Sequence, residues 1–221
     1  MSSSSDDAGG EPPCFGHRLV DGHPVDCETA RDVARFRKAE RRRLYALRKA
    51  IPVAERESRS LAIMAGLDTV VGPLEGRRIA VYWPIRGEPD LRPWMRKAHG
   101  AGARILLPVV ESKGRPLVFR YWHPGCPMIL GVWDIPVPDG TGTGIPDTVI
   151  APLVGVDRDG FRLGNGGGYY DRTLVRLDPR PLLIGVGFAA ASMDTIFPMP
   201  WDVPMDTVVL DDGSVRRRQP D

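Results

Sequence analysis

An apolar run at residues 149–156, VIAPLVGV, leads straight into DRDGFRLGNGGGYYDR at residues 157–172, and this stretch sets what the chain can become. The run mixes Val, Ile and Leu without charge, which is the pattern of a buried strand. Gly160, Gly164, Gly166, Gly167 and Gly168 follow it, and then Tyr170, Leu174 and Leu177 recur at helical spacing. The unit is strand, glycine loop, helix. Such a loop can turn successive backbone N–H groups inward, and a helix N-terminus adds partial positive charge, so together they favour a phosphate. Glycine suits the loop because a Cβ would block close approach and forbid positive φ. No Gly-Lys-Ser/Thr closes the loop, and Tyr169 stands where GxGxxG wants its last glycine, so neither common nucleotide fingerprint is met. A Gly-rich segment can also be a plain surface turn. Arg162, Asp171 and Arg172 inside so apolar a frame weigh against that.

The rest of the chain predicts an α/β protein: a single domain with a mostly parallel sheet flanked by helices and a disordered N-terminal tail. Helices are expected over residues 30–50 and 53–70, and from Leu91 through Trp94, Met95 and Ala98, with Asp90 as N-cap. Strands are expected at 78–85, 104–110, 116–122, 179–188 and 207–210. The domain spans 29–215, with a Ser-, Asp-, Gly- and Pro-rich tail over 1–28 and a short C-terminal tail over 216–221. A formal net charge of +2 over 221 residues makes the molecule as a whole no polyanion binder. No apolar run approaches the ~20 residues of a membrane span, and the first residues lack a basic-then-apolar leader. Cys14, Cys27 and Cys126 have no CxxC spacing and read as reduced thiols. A cytoplasmic, monomeric protein without nucleic-acid or membrane partners is the expectation. His17 and His23, without further ligands, read as solvated side chains.

Ligands of such sheets bind beyond the carboxyl ends of the strands, and Glu88, the glycine loop and Asp202 all follow strand-like runs. Glu88 is either an exposed turn carboxylate or a site acid. Arg162 is explained by a phosphate or by an ion pair. Asp171 near a helix start is favoured by the dipole alone. Tyr169, Tyr170, Trp83, Trp122 and Trp133 are core aromatics or ring-stacking platforms. The basic helix 30–50 offers a solvated face, a nucleic-acid surface, or one or two cations that reach nucleotide phosphates.

The 157–172 segment resembles the signature of the 5-formyltetrahydrofolate cyclo-ligase (methenyltetrahydrofolate synthetase) family. Asp157, Gly160, Arg162, Leu163, Gly164, Gly166, Gly168, Tyr169, Tyr170 and Asp171 fit that signature in register, and weaker matches extend from Arg37 to Asp206. The resemblance implies ATP- and Mg²⁺-dependent conversion of 5-formyltetrahydrofolate to 5,10-methenyltetrahydrofolate, with ADP and phosphate released. It implies an ATP site of Arg37 (or Lys38), Arg41, Arg162, Leu163, Gly164, Asn165, Gly166, Gly167, Gly168 and Tyr169. It implies a folate site of Glu88 with one of Tyr169 and Tyr170, to which Trp133 is added as the ring-stacking candidate, with Glu88, Arg162 and Tyr170 closest to the chemistry. Asp171 and Asp202 would hold Mg²⁺. Three positions depart from the family pattern: Leu91 for a usual Thr, Val137 in Ile-Pro-Val-Pro for a Glu, and Ala191 for a frequent Gln. The rival readings are a folate- or nucleotide-binding paralogue without the activity, a nucleic-acid binder using the basic helix, and a sugar-phosphate isomerase on a related architecture.

Overall fold

The structure is a computed structural model that describes residues 17–20 and 22–219. The chain opens with a hairpin of β1 (His17–Val20) and β2 (His23–Asp26), then the long helix α1 (Cys27–Ala50) and α2 (Val53–Val71). β3 (Arg78–Ala80), α3 (Arg92–Gly100), β4 (Arg104–Val109) and β5 (Val118–Trp122) follow. A second hairpin, β6 (Met128–Leu130) and β7 (Pro136–Pro138), precedes β8 (Thr148–Pro152). The short strands β9 (Gly155–Val156) and β10 (Arg162–Leu163) pair with each other and lead to α4 (Tyr169–Leu174). β11 (Leu182–Gly187), β12 (Thr207–Leu210) and β13 (Val215–Arg217) complete the chain.

The main sheet has the order β13-β12-β11-β8-β3-β4-β5. Its five central strands are parallel, and both edge strands run antiparallel. Parallel central strands are covered on both faces, so their sequences are continuously apolar. β8 is buried at every position. Its side chains alternate between two cores: Ile150 joins Ile79, Ile105 and Ile184 beneath α2 and α3, while Val149 and Ala151 join Ala80, Leu106 and Leu183 on the α4 side. A third, smaller cluster of Leu44, Val154, Leu163 and Ile196 packs α1 across the carboxyl ends of the strands. That placement lets one face of α1 reach the loops where ligands of such sheets bind.

Several elements differ from the sequence reading. The 149–156 run is two strands: β8 ends at Pro152, and Gly155–Val156 leaves the main sheet to pair antiparallel with β10. α4 stops at Leu174, yet Leu177 still packs inward, because tight turns with N–H groups of Arg176 and Leu177 on the Thr173 and Leu174 carbonyls keep its direction. α3 begins one residue after Leu91. Asp90 serves it by accepting the Arg92 N–H at 3.0 Å. Within the stretch read as an N-terminal tail, β1 and β2 pair, Val25 is buried, and the Asp26 carboxylate accepts the Thr29 N–H at 2.7 Å to cap α1. Cys14 lies outside the described residues; Cys27 and Cys126 are free thiols. β13 carries sheet pairing through Arg217, past the point where the C-terminal tail was expected. Among the described residues, no helix is long and apolar enough to cross a membrane, and no group of three or more His, Cys, Asp or Glu could hold a metal.

Candidate active site

Asp157 opens the signature and builds the turn that presents it. Its carboxylate is buried and accepts three backbone N–H groups, from Asp159 at 3.1 Å, Phe161 at 2.9 Å and Ile196 at 3.2 Å. The motif acid here folds the chain. Asp157→Ala leaves those donors unmet in the interior and is expected to cost about 2–4 kcal/mol of stability. A thermal or urea melt measures this, and the catalytic constants of the folded fraction should stay near normal.

The turn delivers Arg162, whose side chain is nearly fully buried beneath the glycine loop. Its guanidinium lies 4.8 Å from the centre of the Tyr170 ring, and Nη2 donates to Asp171 Oδ2 at 3.3 Å. Its Nε–H is buried without a partner. A Cβ at position 164 would collide with this guanidinium, so Gly164 is what lets the arginine lie against the loop. Arg41 of α1 donates to the Gly164 carbonyl at 2.8 Å, and Arg172 donates to the Gly167 carbonyl. The loop residues Asn165, Gly166 and Gly167 are exposed. With only six residues, α4 brings little dipole to this loop. The positive field comes from Arg41, Arg162 and Arg172 instead. Burial first, and then neighbouring Arg37, lowers the Arg41 pKa from its ordinary value, so an incoming anion would relieve both burdens.

Of the alternatives on α1, Arg37 faces the site and Lys38 is exposed on the flank. Arg37 donates twice to Asp202 and also bonds the Ile196 and Phe197 carbonyls at 2.9 and 2.7 Å. Asp202 additionally accepts the Met199 N–H at 2.6 Å, so its oxygens are largely committed. Asp171 is freer: its two contacts, from Arg162 and from the Val203 N–H, are both 3.3 Å. Leu163 is in the small core with Leu44, so its side chain does not line the loop.

Glu88 sits on a tight turn in which Arg86 and Gly87 both have positive φ, 50° and 73°. Its N–H donates to the Ile85 carbonyl at 2.9 Å, and its carboxylate accepts the Ile85 N–H at 3.1 Å. It is only 6% exposed, so it is no ordinary surface carboxylate. Burial pushes its pKa above the usual glutamate value, against the pull of the Ile85 N–H, Arg48, Asn165 and Arg86. Asn165 of the glycine loop faces this carboxylate while its amide oxygen accepts the Tyr45 hydroxyl. One residue thus joins the loop after β3 to the loop after β10. Tyr170 packs against the α4-side core, and burial raises its pKa, so its phenol stays protonated.

Tyr169 turns the other way. Its hydroxyl accepts the Gly114 N–H at 3.2 Å, and its ring meets Trp133 edge-on at 5.5 Å. Trp133 lies between β6 and β7, 57% exposed with φ of 59°, a backbone conformation unusual for a bulky residue. An exposed indole so held offers a face on which a flat ring can stack. Trp122 is core, and Trp83 stacks beneath the Arg92 guanidinium at 5.3 Å. The three departures from the family pattern are all packed positions. Leu91 is in the main core, Val137 packs on Gly131 inside the hairpin, and Ala191 is buried beside Leu44 and Arg48. Tyr45 and Arg48 were not singled out from sequence, and Arg172 was noted there only as a charge in the apolar frame of the loop, without a site role. The spacing Arg37, Arg41, Leu44, Arg48 at i, i+4, i+7 and i+11 marks one helix face and is the signal that could have found Arg48.

The model of the family described as "5-formyltetrahydrofolate cyclo-ligase family" matches residues 33–211. A 5-formyltetrahydrofolate cyclo-ligase of Mycolicibacterium smegmatis is 32% identical over 170 residues, covering 73% of this chain and 87% of that protein. The Escherichia coli protein of the same name is 32% identical over 139 residues, 59% of this chain and 76% of its own. Among solved structures, the Aquifex aeolicus 5,10-methenyltetrahydrofolate synthetase superposes with a TM-score of 0.73 at 27% identity, covering 84% of this chain and 94% of that one. The Mycoplasma pneumoniae synthetase gives 0.65 at 25% identity, covering 79% and 98%. A match that takes in the basic helix, the Glu88 turn, the glycine loop and the Asp202 loop together leaves one conclusion: the chain belongs to the 5-formyltetrahydrofolate cyclo-ligase family.

Proposed function

We propose that this enzyme uses ATP to close 5-formyltetrahydrofolate into 5,10-methenyltetrahydrofolate. The γ-phosphoryl group passes to the formyl oxygen. N10 then attacks the activated carbon and gives up its proton, the phosphate leaves with the former formyl oxygen, and ADP is the other product. Phosphoryl transfer asks a protein mainly for positioning and charge neutralisation. Arg41, Arg162 and Arg172 around the exposed loop 165–167 are suited to the phosphates, with the unpartnered Arg162 Nε–H as a spare donor. Backbone N–H groups of Gly166, Gly167 and Gly168 can join them, and Tyr169 borders the loop.

Magnesium fits the acids present: Asp171, with its two long contacts, is the available ligand, and Asp202 stands next to the Val203 N–H that touches it. Asp171, with Asp202 nearby, would hold Mg²⁺, which would supply neutralisation of the charge that develops during transfer. Glu88 would orient the folate and offset positive charge at the reacting carbon, with Tyr170 protonated beside it. Trp133 and Tyr169 would take the pterin ring. The free thiols Cys27 and Cys126 suit a reducing cytoplasm.

The observation that carries this reading is that Asn165 of the cation-ringed glycine loop accepts the Tyr45 hydroxyl, while Arg86 of the buried Glu88 turn lies 5.8 Å from the same Tyr45 ring. The chain has a phosphate cradle, while Glu88 is folded onto its own turn. ATP hydrolysis should therefore depend on the folate. Phosphate release from Mg-ATP, measured with and without 5-formyltetrahydrofolate, tests this. Equal rates in both would refute the coupled reaction.

A further inference from the structure

α1 turns Arg37, Arg41 and Arg48 onto one face, and the first two are taken up by Asp202 and the glycine loop. Arg48 has no part in the function described above, yet it is the most deeply placed of the three, 4% exposed. Its Nη2 donates to the Leu153 carbonyl just beyond β8, and the Tyr45 ring lies 5.7 Å from its Cζ. Its Nη1 is buried without a partner. A buried guanidinium carries a large desolvation penalty, which one carbonyl and one ring do not offset.

The carboxylate it faces is Glu88. The Arg48 side chain lies against the Glu88 turn, its Cδ 3.7 Å from where a Cβ on Gly87 would stand. We infer that Arg48 is a positioning residue for the Glu88 carboxylate, a fixed counter-charge tied to the end of β8 that keeps Glu88 ionised and aligned at the folate side of the crevice. This rests on the assignment of Glu88 made under the proposed function.

The other groups around Glu88 cannot replace it. Arg86, on the same turn, is exposed and screened by water. Tyr82 and Tyr170 both feel the Glu88 charge, but burial raises both phenol pKa values, so they bring no charge of their own. Asn165 is neutral. Arg56 of α2 reaches the Gly87 side of the turn, with Nη1 3.3 Å from that same Cβ position, donates through Nε and Nη2 to the Ile51 and Lys49 carbonyls, and is only half-buried, so water screens its charge more than that of Arg48. Arg48 is thus the buried cation whose charge is available to Glu88.

The sign follows. Glu88 works as an anion, so turnover falls as pH drops through its raised pKa. Removing a neighbouring cation raises that pKa further and moves the acid limb of kcat to higher pH. The test is the pH profile of folate-dependent phosphate release for the wild type, Arg48→Gln, Arg48→Lys and Glu88→Gln. Gln keeps a donor for the Leu153 carbonyl and removes the charge; Lys keeps the charge. The acid limb should rise by about one pH unit or more in Arg48→Gln and stay in place in Arg48→Lys, while Mg-ATP affinity by calorimetry is unchanged in both. An unmoved limb in Arg48→Gln overturns the inference. So does a uniform loss across pH in Arg48→Lys, which decides the matter even where the Gln variant does not fold, because it shows a merely structural role. In either case, Glu88→Gln that has lost turnover leaves the Glu88 assignment standing. Glu88→Gln with normal turnover removes that assignment, and this inference with it.

Discussion

Gly166→Val should weaken Mg-ATP binding by at least about a hundredfold, roughly 3 kcal/mol, while the protein still folds. Gly166 has φ of +96°, where a β-branched residue is strained. A Cβ there would stand 3.4 Å from the Arg41 guanidinium, so a valine would also push against the cation that holds the loop by the Gly164 carbonyl. Gly166 is exposed and its neighbours in the loop, Asn165 and Gly167, are exposed too, so the damage stays local. Calorimetric titration with Mg-ATP measures the loss, and a melt shows whether the fold survives. Normal affinity in this variant would place the nucleotide elsewhere on the molecule.

Glu88→Gln should lower kcat for folate turnover by about a hundredfold or more and leave Mg-ATP affinity within a few-fold of normal. Gln keeps the shape of the side chain and a partner for the Ile85 N–H, but not the charge. A hydrogen bond to a charged group is roughly twice as strong as a neutral one. The charge matters most as the formyl carbon becomes cation-like, so the loss belongs in kcat more than in KM. The variant should also lack the acid limb of the pH profile. In the wild type that limb lies above the ordinary glutamate pKa, because burial disfavours the ionised form. Asp171→Asn, which weakens the ligand we propose for the metal, should instead raise the Mg²⁺ and ATP requirement first. Measured kcat and both KM values separate the two variants.

How far these residues could be read from sequence depends on what each one does. The strand–glycine loop–helix unit and the mostly parallel sheet rest on long apolar runs, such as the fully buried β8, and such runs read clearly. Arg37 and Arg41 were legible as a helical pair, but the choice against Lys38 needed the rotational phase of α1, which Leu44 sets by packing on Leu163. The hairpin that carries Trp133 was not legible as structure. Its strands are three residues each, contain two prolines, and are held by packing of Val137 on Gly131. Asp157 was legible only as a position that fits the signature, and its three backbone acceptor bonds, which no sequence pattern displays, make it a turn builder. Arg48 was hidden among the cations of a basic helix. Its spacing from Arg37, Arg41 and Leu44 puts it on the site face, but its burial and its unpartnered nitrogen are not written in a one-dimensional charge pattern.

The pairing of phosphate loop and buried glutamate in one crevice is tested most directly by following the absorbance of methenyltetrahydrofolate when the protein is mixed with 5-formyltetrahydrofolate, with and without Mg-ATP. The account predicts that absorbance rises only when protein, folate and Mg-ATP are all present, with one phosphate released for each methenyl group formed. Product formed without ATP, or no product under the complete conditions from folded protein, would contradict it.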